Sequence, residues 1–438
     1  MKKVVLYYPK TDHEKNYMYY WIPYSLLTIA SGCIGNYDVQ CLDANADDDL
    51  IFCNNLTREL ENTLCVGISC MTGHQIKNGI EFAKKIRKTN STIPIIWGGP
   101  HPTLFPEQTL KSEFVDYVIQ GQGEVRLPLL LDAINKGKSK PYNIEGVGEK
   151  YKGQLLVKKG HCVYDKSTFP DFPWHLINLN KYIKCDKDIN FRTLNYLTSQ
   201  GCPFHCGFCS EVALYGGHWT SFNTDRVIKD INYLVTKYSI NGIKFYDANF
   251  FGRKSHALDI AEQLIPLNIR WAASGHPTTL STLTNEEWHL LKKSGCNRLL
   301  IGLESGSQPV LDSIHKGFIK EKALPLSKKL AEFDIIGSFT FIVGFPDKVD
   351  DKEVEKTLEL AQQIRCISKK HECKIHFYAP YPGTPLWNKA LERGFVEPEN
   401  LEEWSEFDYY TIETPWMPQA LERDINLFNK ENCPYVHL

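Results

Sequence analysis

The chain has 438 residues, of which 42% are hydrophobic and 23% charged, with a formal net charge of -2. That length argues for two or three domains, and that composition for packed globular cores. A charge so near zero excludes a protein held to a phosphate backbone by bulk electrostatics, and no nucleic-acid partner is expected.

The chain opens with an apolar run, Val4–Tyr8, that is too short for a secretory leader and reads as a first buried strand closed by Pro9. Asn16–Tyr37 carries no charge, yet Pro23 and its scattered Asn, Ser, Thr and Gly residues make it too polar for a membrane span. A buried or pocket-lining helix is expected there, in a cytoplasmic protein. Further strands are predicted at Val39–Leu42, Val66–Ser69, Ile93–Trp97 and Tyr117–Ile119, with helical spacing at Gly79–Lys88 and Leu127–Ile134. This alternation predicts an α/β, doubly wound, Rossmann-like domain over residues 1–136. Such a domain binds ligands outside the carboxyl ends of its strands. The loops there are Ser69-Cys-Met-Thr72, Gly98-Gly-Pro-His-Pro-Thr103 and Gly121-Gln-Gly-Glu124.

Residues 137–192 read as a linker with a hairpin near Tyr151–Lys159 and a proline-rich stretch around Phe169–Trp174. From residue 193 the alternation restarts with a longer period. Strands are predicted at Leu194–Thr198, Ile243–Asp247, Ile269–Ser274, Leu299–Leu303, Phe339–Val343 and Lys374–Tyr378. Helices are predicted at Thr224–Tyr238, Lys254–Leu264, Glu286–Lys293 and Lys352–Ile367, and Thr284 with Glu287 forms a capping box. Six strands alternating with helices over 193–386 describe a partial (β/α)6 barrel, whose chemistry lies at the carboxyl ends of the strands. Residues 387–438 form a helical tail without a readable motif.

Fourteen cysteines are present, most of them alone in apolar surroundings (Cys41, Cys65, Cys70, Cys366), where a reduced thiol acts as a small hydrophobe. One group has ligand spacing. Gly201-Cys-Pro-Phe-His-Cys-Gly-Phe-Cys-Ser210 sets Cys202, Cys206 and Cys209 as C-x3-C-x2-C just after the first barrel strand. A structural zinc site would need a fourth ligand, for which His205 or His218 are the candidates. Three thiolates without an obvious fourth suit an iron–sulfur cluster with one iron left open. Phe208 can pack beside a bound adenine or simply plug the loop.

The loop resembles the signature of the radical S-adenosylmethionine (SAM) enzymes, and matching segments follow in order over about 194–386. Phe245-Tyr-Asp-Ala-Asn-Phe250 is similar to the family's acidic strand end near the methionyl group, with Asp247 as the acid. Ile301-Gly-Leu-Glu-Ser-Gly-Ser307 resembles the segment whose Glu, here Glu304 followed by Ser305, faces the SAM ribose and methionyl group. Phe341-Ile-Val-Gly-Phe-Pro346, with Gly344, looks like the segment beneath the adenine, and Tyr381-Pro-Gly-Thr-Pro-Leu386 like the close of the sixth strand. Gln200 and His276 stand where relatives often carry Arg.

The N-terminal loops resemble those of the cobalamin-binding domain fused ahead of many such barrels. The resemblance makes Ser69, Met71, Thr72, Gly98, Gly99, His101, Thr103, Gly123 and Glu124 the expected corrinoid contacts. No Asp-x-His-x-x-Gly stretch occurs, and His74 and His101 lack its neighbours, so a cobalt without a histidine on its lower face is expected. The cofactors implied are a 4Fe–4S cluster, SAM and cobalamin, and the partners a small-molecule substrate and an electron donor such as flavodoxin or ferredoxin.

The activity implied is transfer of methyl from methylcobalamin to an unactivated carbon after a 5′-deoxyadenosyl radical takes a hydrogen from substrate. The alternatives are a cobalamin-dependent cyclase, ring-contracting or oxidative enzyme, a cobalamin-free radical enzyme, or a non-enzymatic sensor. Trp174, Tyr182, Trp404 and Tyr409 could line a substrate pocket or sit in the core.

Overall fold

A computed structural model describes residues 1–11, 21–47, 49–137, 143–160, 163–186, 189–347, 351–409, 412, 414–417 and 419–432. Part of the uncharged stretch Asn16–Tyr37 and parts of the expected linker and tail lie outside the described residues. Set against the divisions expected at 136, 192 and 386, the chain groups into two compact units. One comprises Met1–Tyr182 with Glu397–Tyr409, the other Ile183–Val396 with Tyr410–Leu438.

Among the described residues of the first unit, strands β1 (Lys3–Tyr8), β2 (Asp38–Asp43), β3 (Thr63–Ser69), β4 (Ile95–Gly98), β5 (Tyr117–Ile119), β6 (Val147–Tyr151) and β7 (Gln154–Val157) form one sheet. Its order is β2-β1-β3-β4-β5-β6-β7. β1 to β5 are mutually parallel, and the two hairpin strands extend the sheet antiparallel. Val4, Val5, Leu6 and Tyr7 are all essentially inaccessible, as expected of a parallel strand covered on both faces. The order reverses between β1 and β3, so this is the point at which a doubly wound sheet opens a crevice. The segment Glu397–Tyr409 packs onto this unit. Trp404, fully buried, touches His101, Phe105 and Phe407, and Gln108 donates to the Pro398 carbonyl at 2.9 Å.

In the second unit the sheet runs β16-β15-β14-β13-β12-β9-β8. These are β8 (Lys184–Asp186), β9 (Asn190–Tyr196), β12 (Gly242–Phe245), β13 (Arg270–Ser274), β14 (Cys296–Glu304), β15 (Ile336–Val343) and β16 (Glu372–Phe377), with β10 (Ser199–Gly201) and β11 (Trp219–Ser221) pairing apart. β9 and β12 to β16 are parallel in chain order, the six predicted barrel strands, while β8 adds an antiparallel edge. Helices Thr224–Tyr238 and Lys254–Leu264 match prediction, and Thr284 and Glu287 form the capping box. A helix at Ala323–Glu332, between β14 and β15, was not anticipated. The free edge of β16 is closed by the last helix, Gln419–Asn432. There Asn429 accepts from the Ile375 N–H at 2.9 Å and donates to its carbonyl at 2.7 Å, which removes a site for strand addition. Among the described residues no helix is long and apolar enough to cross a membrane.

Candidate active site

The three-cysteine loop leaves the end of β10. Gly201 there has φ +79°, and a Cβ on it would lie 2.1 Å from the His218 carbonyl, so only glycine lets β10 meet β11 and release the loop. The loop is stitched down at its centre: the Gly207 N–H donates to the Ile314 carbonyl at 2.7 Å, and the Gly207 carbonyl accepts from the Leu386 N–H at 3.0 Å. The close of the sixth strand, picked out from sequence, is thus part of the loop's support. Phe204 stacks flat on His276 at 3.5 Å between ring centroids, and Phe208 packs on Phe345 at 5.7 Å.

Around this loop the strand ends contribute polar side chains. Asp247 is buried and faces back into the protein. Its carboxylate accepts from Thr198 N–H (3.1 Å), Thr198 Oγ1 (2.7 Å) and Ser199 Oγ (2.5 Å), which fixes the turn between β9 and β10. Burial raises its pKa against the lowering effect of those bonds. Two residues on, Asn249 donates to the Cys202 sulfur at 3.5 Å.

Glu304 ends β14 with φ +65°, a left-handed conformation costly for a side chain of its kind, beside a register shift in the pairing of β14 with β15. Its carboxylate meets Lys316 Nζ at 2.7 Å, and both side chains are buried. Burial opposes charge on Lys316, but Glu304 and the nearby Cys206 and Cys209 outweigh it and hold the lysine's pKa up. The ammonium also lies 5.9 Å from the Phe208 ring centre. Ser305 turns inward, its Oγ accepting from Ser307 N–H and within 3.4 Å of Thr357 Oγ1. The Gly344 carbonyl accepts from Trp416 Nε1 at 2.9 Å.

Lys316 and Asn249 carried no role in the sequence reading. Asn249 lay within a quoted segment, but an amide has no signature of its own. A lysine in a loop reads as surface charge until its burial is seen.

The residues present fit an iron–sulfur cluster. The three thiols are buried or half-buried and free. Burial pushes Cys206 up to about 11 and Cys209 to about 12, and raises Cys202, while Lys316 pulls Cys202 and Cys206 down. Among the described residues no three His, Cys, Asp or Glu side chains converge as ligands of a single ion do.

In the first unit the predicted loops follow β3, β4 and β5, and they are tied together. The Cys70 N–H donates to the Gly98 carbonyl (2.9 Å), and the Cys70 carbonyl accepts from the His101 N–H (3.2 Å). Gly99 has φ +98°, and a Cβ there would sit 2.8 Å from the Cys70 carbonyl oxygen, so the two strand ends could not otherwise approach. Thr72 Oγ1 is 3.2 Å from His101 Nδ1. Thr103 Oγ1 donates to the Gly99 carbonyl (2.7 Å) and accepts from the Gly121 N–H (2.8 Å). His101 is fully buried, its Nε2 meets no hydrogen-bond partner among the described residues, and burial drops its pKa to about 3.

Ser69 donates to Ser25 Oγ at 3.1 Å. Gly123 begins the helix Gly123–Asn135, and Glu124 in its first turn lies 3.9 Å from the buried Lys166. Of these residues Met71 is the one that offers an exposed apolar side chain, 41% accessible. Beyond a Gly98 Cβ there is nothing nearer than Ile119 at 3.8 Å. Small residues and one thioether at the carboxyl ends fit a broad flat macrocycle. Trp174, Tyr182 and Trp404, expected either at a substrate pocket or in a core, are core residues of this unit.

Residues 15–131 match the family model for the B12 binding domain, and residues 196–361 that for the radical SAM superfamily. An uncharacterized methyltransferase of Pyrococcus horikoshii is 29% identical, over 88% of this chain and 82% of its own length. The anaerobic magnesium-protoporphyrin IX monomethyl ester cyclase of Rubrivivax gelatinosus is 23% identical, over 92% and 70%. The radical SAM methyltransferase TsrM of Kitasatospora setae, solved with cobalamin and a [4Fe-4S] cluster bound, shares the fold. Its TM-score is 0.72 at 17% identity, covering 90% of this chain and 75% of that one. With both domain models matched in this order, the chain belongs to the radical SAM superfamily, in the group whose barrel follows a B12-binding domain.

Proposed function

We propose that this protein is a cobalamin-dependent radical SAM methyltransferase acting on an unactivated carbon of a small molecule. The observation that carries the reading is the three-thiol loop, pinned at Gly207 by the backbones of Ile314 and Leu386, with the buried Glu304–Lys316 pair in the same unit. When bound, the cluster supplies the electron that cleaves SAM to a 5′-deoxyadenosyl radical, and the corrinoid relays the methyl group.

The chain's own residues hold and orient. Cys202, Cys206 and Cys209 grip the cluster. Glu304 and Lys316, already desolvated as an ion pair, would orient the methionyl group of SAM by hydrogen bonds to its amino and carboxylate groups. Phe208 and Gly344 flank the adenine. Asp247 acts at one remove, through the turn that carries the cysteine loop.

In the first unit Met71 and Gly98 offer the surface for the corrin, with Thr72, Thr103 and Glu124 holding the loops behind it. His101 Nδ1 is engaged by Thr72 and its ring packs edge-on against Trp404; the reading of a cobalt without a histidine on its lower face rests on the lack of an Asp-x-His-x-x-Gly stretch. A one-electron donor of the flavodoxin or ferredoxin kind reduces the cluster in a cytoplasmic setting.

A cyclising or oxidative outcome without methyl transfer is the second reading, favoured by the likeness to a ring-forming cyclase. SAM labelled in its methyl group separates the two. Label in the product supports methylation, and an unlabelled rearranged product supports cyclisation. Absence of 5′-deoxyadenosine with a strong reductant overturns both.

A further inference from the structure

We propose that Asn249 sets the reduction potential of the cluster by donating its side-chain amide to the Cys202 sulfur, and that His276 is the positioning residue that keeps this amide in place. The inference rests on the reading that Cys202, Cys206 and Cys209 hold an iron–sulfur cluster.

The orientation of a side-chain amide follows from its partners, and here they leave one choice. Asn249 Oδ1 accepts from the backbone N–H of His276 at 3.4 Å, a group that can only donate. The NH2 end is therefore the end that faces Cys202 Sγ, at 3.5 Å. Asn249 is almost completely buried, so water does not replace this donor.

Each neighbour restricts it further. The Asn249 carbonyl accepts from the Gly252 N–H at 2.9 Å. Ser274 Oγ donates to the Asp247 carbonyl at 2.6 Å and reaches the Ala248 carbonyl at 3.2 Å, which clamps the end of β12 to β13. His276 then caps the short helix Pro277–Leu280, its Nδ1 accepting from Thr278 N–H at 3.3 Å, while its ring lies flat on Phe204 of the cysteine loop. One imidazole thereby fixes both the backbone donor that orients Asn249 and the loop that carries Cys202.

Hydrogen bonds to ligating sulfur are among the determinants of cluster potential. A donor stabilises the more negative, reduced state, so its removal makes reduction harder and moves the midpoint to more negative values.

The test is a redox titration of the anaerobically reconstituted full chain, followed by electron paramagnetic resonance of the reduced cluster. Asn249→Leu, with full iron content, is expected to titrate at a more negative midpoint than wild type. Asn249→Asp, which keeps the shape but lacks the N–H and adds charge, is expected to move the same way. His276→Ala is expected to give a smaller shift of the same sign. An unchanged midpoint in Asn249→Leu overturns the proposal. If that variant does not retain four irons, an unchanged midpoint in Asn249→Asp does so instead.

Independently, pulsed resonance of wild type exchanged into D2O is expected to show a deuteron coupled to the cluster that is missing in both Asn249 variants. Its absence from wild type also overturns the proposal. A wild-type chain that takes up no four-iron cluster defeats the underlying reading, a result distinct from any of these.

Discussion

Glu304 and Lys316 face each other across 2.7 Å in the interior of the second unit, with side chains 7% and 6% exposed. Neither charge is repaid by water, and the backbone of Glu304 is held left-handed at the same point. A strained backbone and a buried ion pair gathered at one strand end support the proposed contact with SAM there, since an apolar pair would fold at least as stably.

Removing one partner should therefore act on both stability and binding. Lys316→Met leaves the Glu304 carboxylate buried without a counter-charge, and a destabilisation of about 3 kcal/mol is expected. The double variant Glu304→Gln with Lys316→Met should regain most of that stability in denaturant unfolding. It should still bind SAM at least ten-fold more weakly by equilibrium dialysis on cluster-loaded protein. Recovery of SAM binding together with stability would show the pair to be structural alone.

Asp247 leads to a different expectation, because its carboxylate is engaged by Thr198 and Ser199. Asp247→Ala strands a backbone N–H and two hydroxyls in the interior, at a cost of about 2–3 kcal/mol. The loop it steadies carries the proposed cluster ligands, so iron per chain after reconstitution should fall as well. Asp247→Asn, which keeps an acceptor in the same place, should lose less of both. Iron content equal to wild type in Asp247→Ala would show that the turn holds without it.

Much of this architecture is legible in the sequence. Strands such as Val4–Tyr8 and Phe339–Val343 stand out because parallel strands covered on both faces read as short apolar runs. The cysteine loop stood out because its ligand spacing is local in sequence. What escaped depends on contacts between distant residues. The helix Ala323–Glu332 carries Pro325 in its first turn and two adjacent lysines, which blur its apolar face. The packing of Trp404 on His101 joins residues about three hundred positions apart, and no periodicity announces it. Lys316 and Asn249 are residue types whose meaning lies in where they are buried.

Gly99 offers a test of the first unit. An added Cβ would meet the Cys70 backbone at 2.8–2.9 Å, and φ +98° is itself unfavourable for alanine. Gly99→Ala should separate the ends of β3 and β4, destabilising the protein by about 2 kcal/mol. Because Met71 follows Cys70 directly, corrinoid affinity measured by absorption titration should fall at least ten-fold. Cluster uptake, which belongs to the other unit, should remain at the wild-type level. A variant that binds hydroxocobalamin normally would mean that these strand ends do not shape the corrin surface.

The last expectation concerns pH, and its sign follows from His101. Burial lowers this imidazole's pKa from 6.5 to about 3 in the folded chain. Below pH 6.5 the unfolded chain therefore takes up a proton that the folded chain refuses, and stability falls as the pH is lowered. The loss begins near pH 6.5 and is complete near pH 3. At pH 4.5 the imbalance is worth about 2–3 kcal/mol. His101→Asn has no proton to take up, so its unfolding free energy should change less between pH 7.5 and pH 4.5 than that of wild type. The two chains should differ in that slope by about the same 2–3 kcal/mol. The variant will itself be less stable at pH 7.5, because the ring fills the space beneath Trp404 and meets Thr72 Oγ1. The comparison of slopes is independent of that offset. Parallel slopes would mean that His101 titrates in the folded chain much as it does in water, and that the packing of Trp404 over it is open to solvent on the timescale of unfolding.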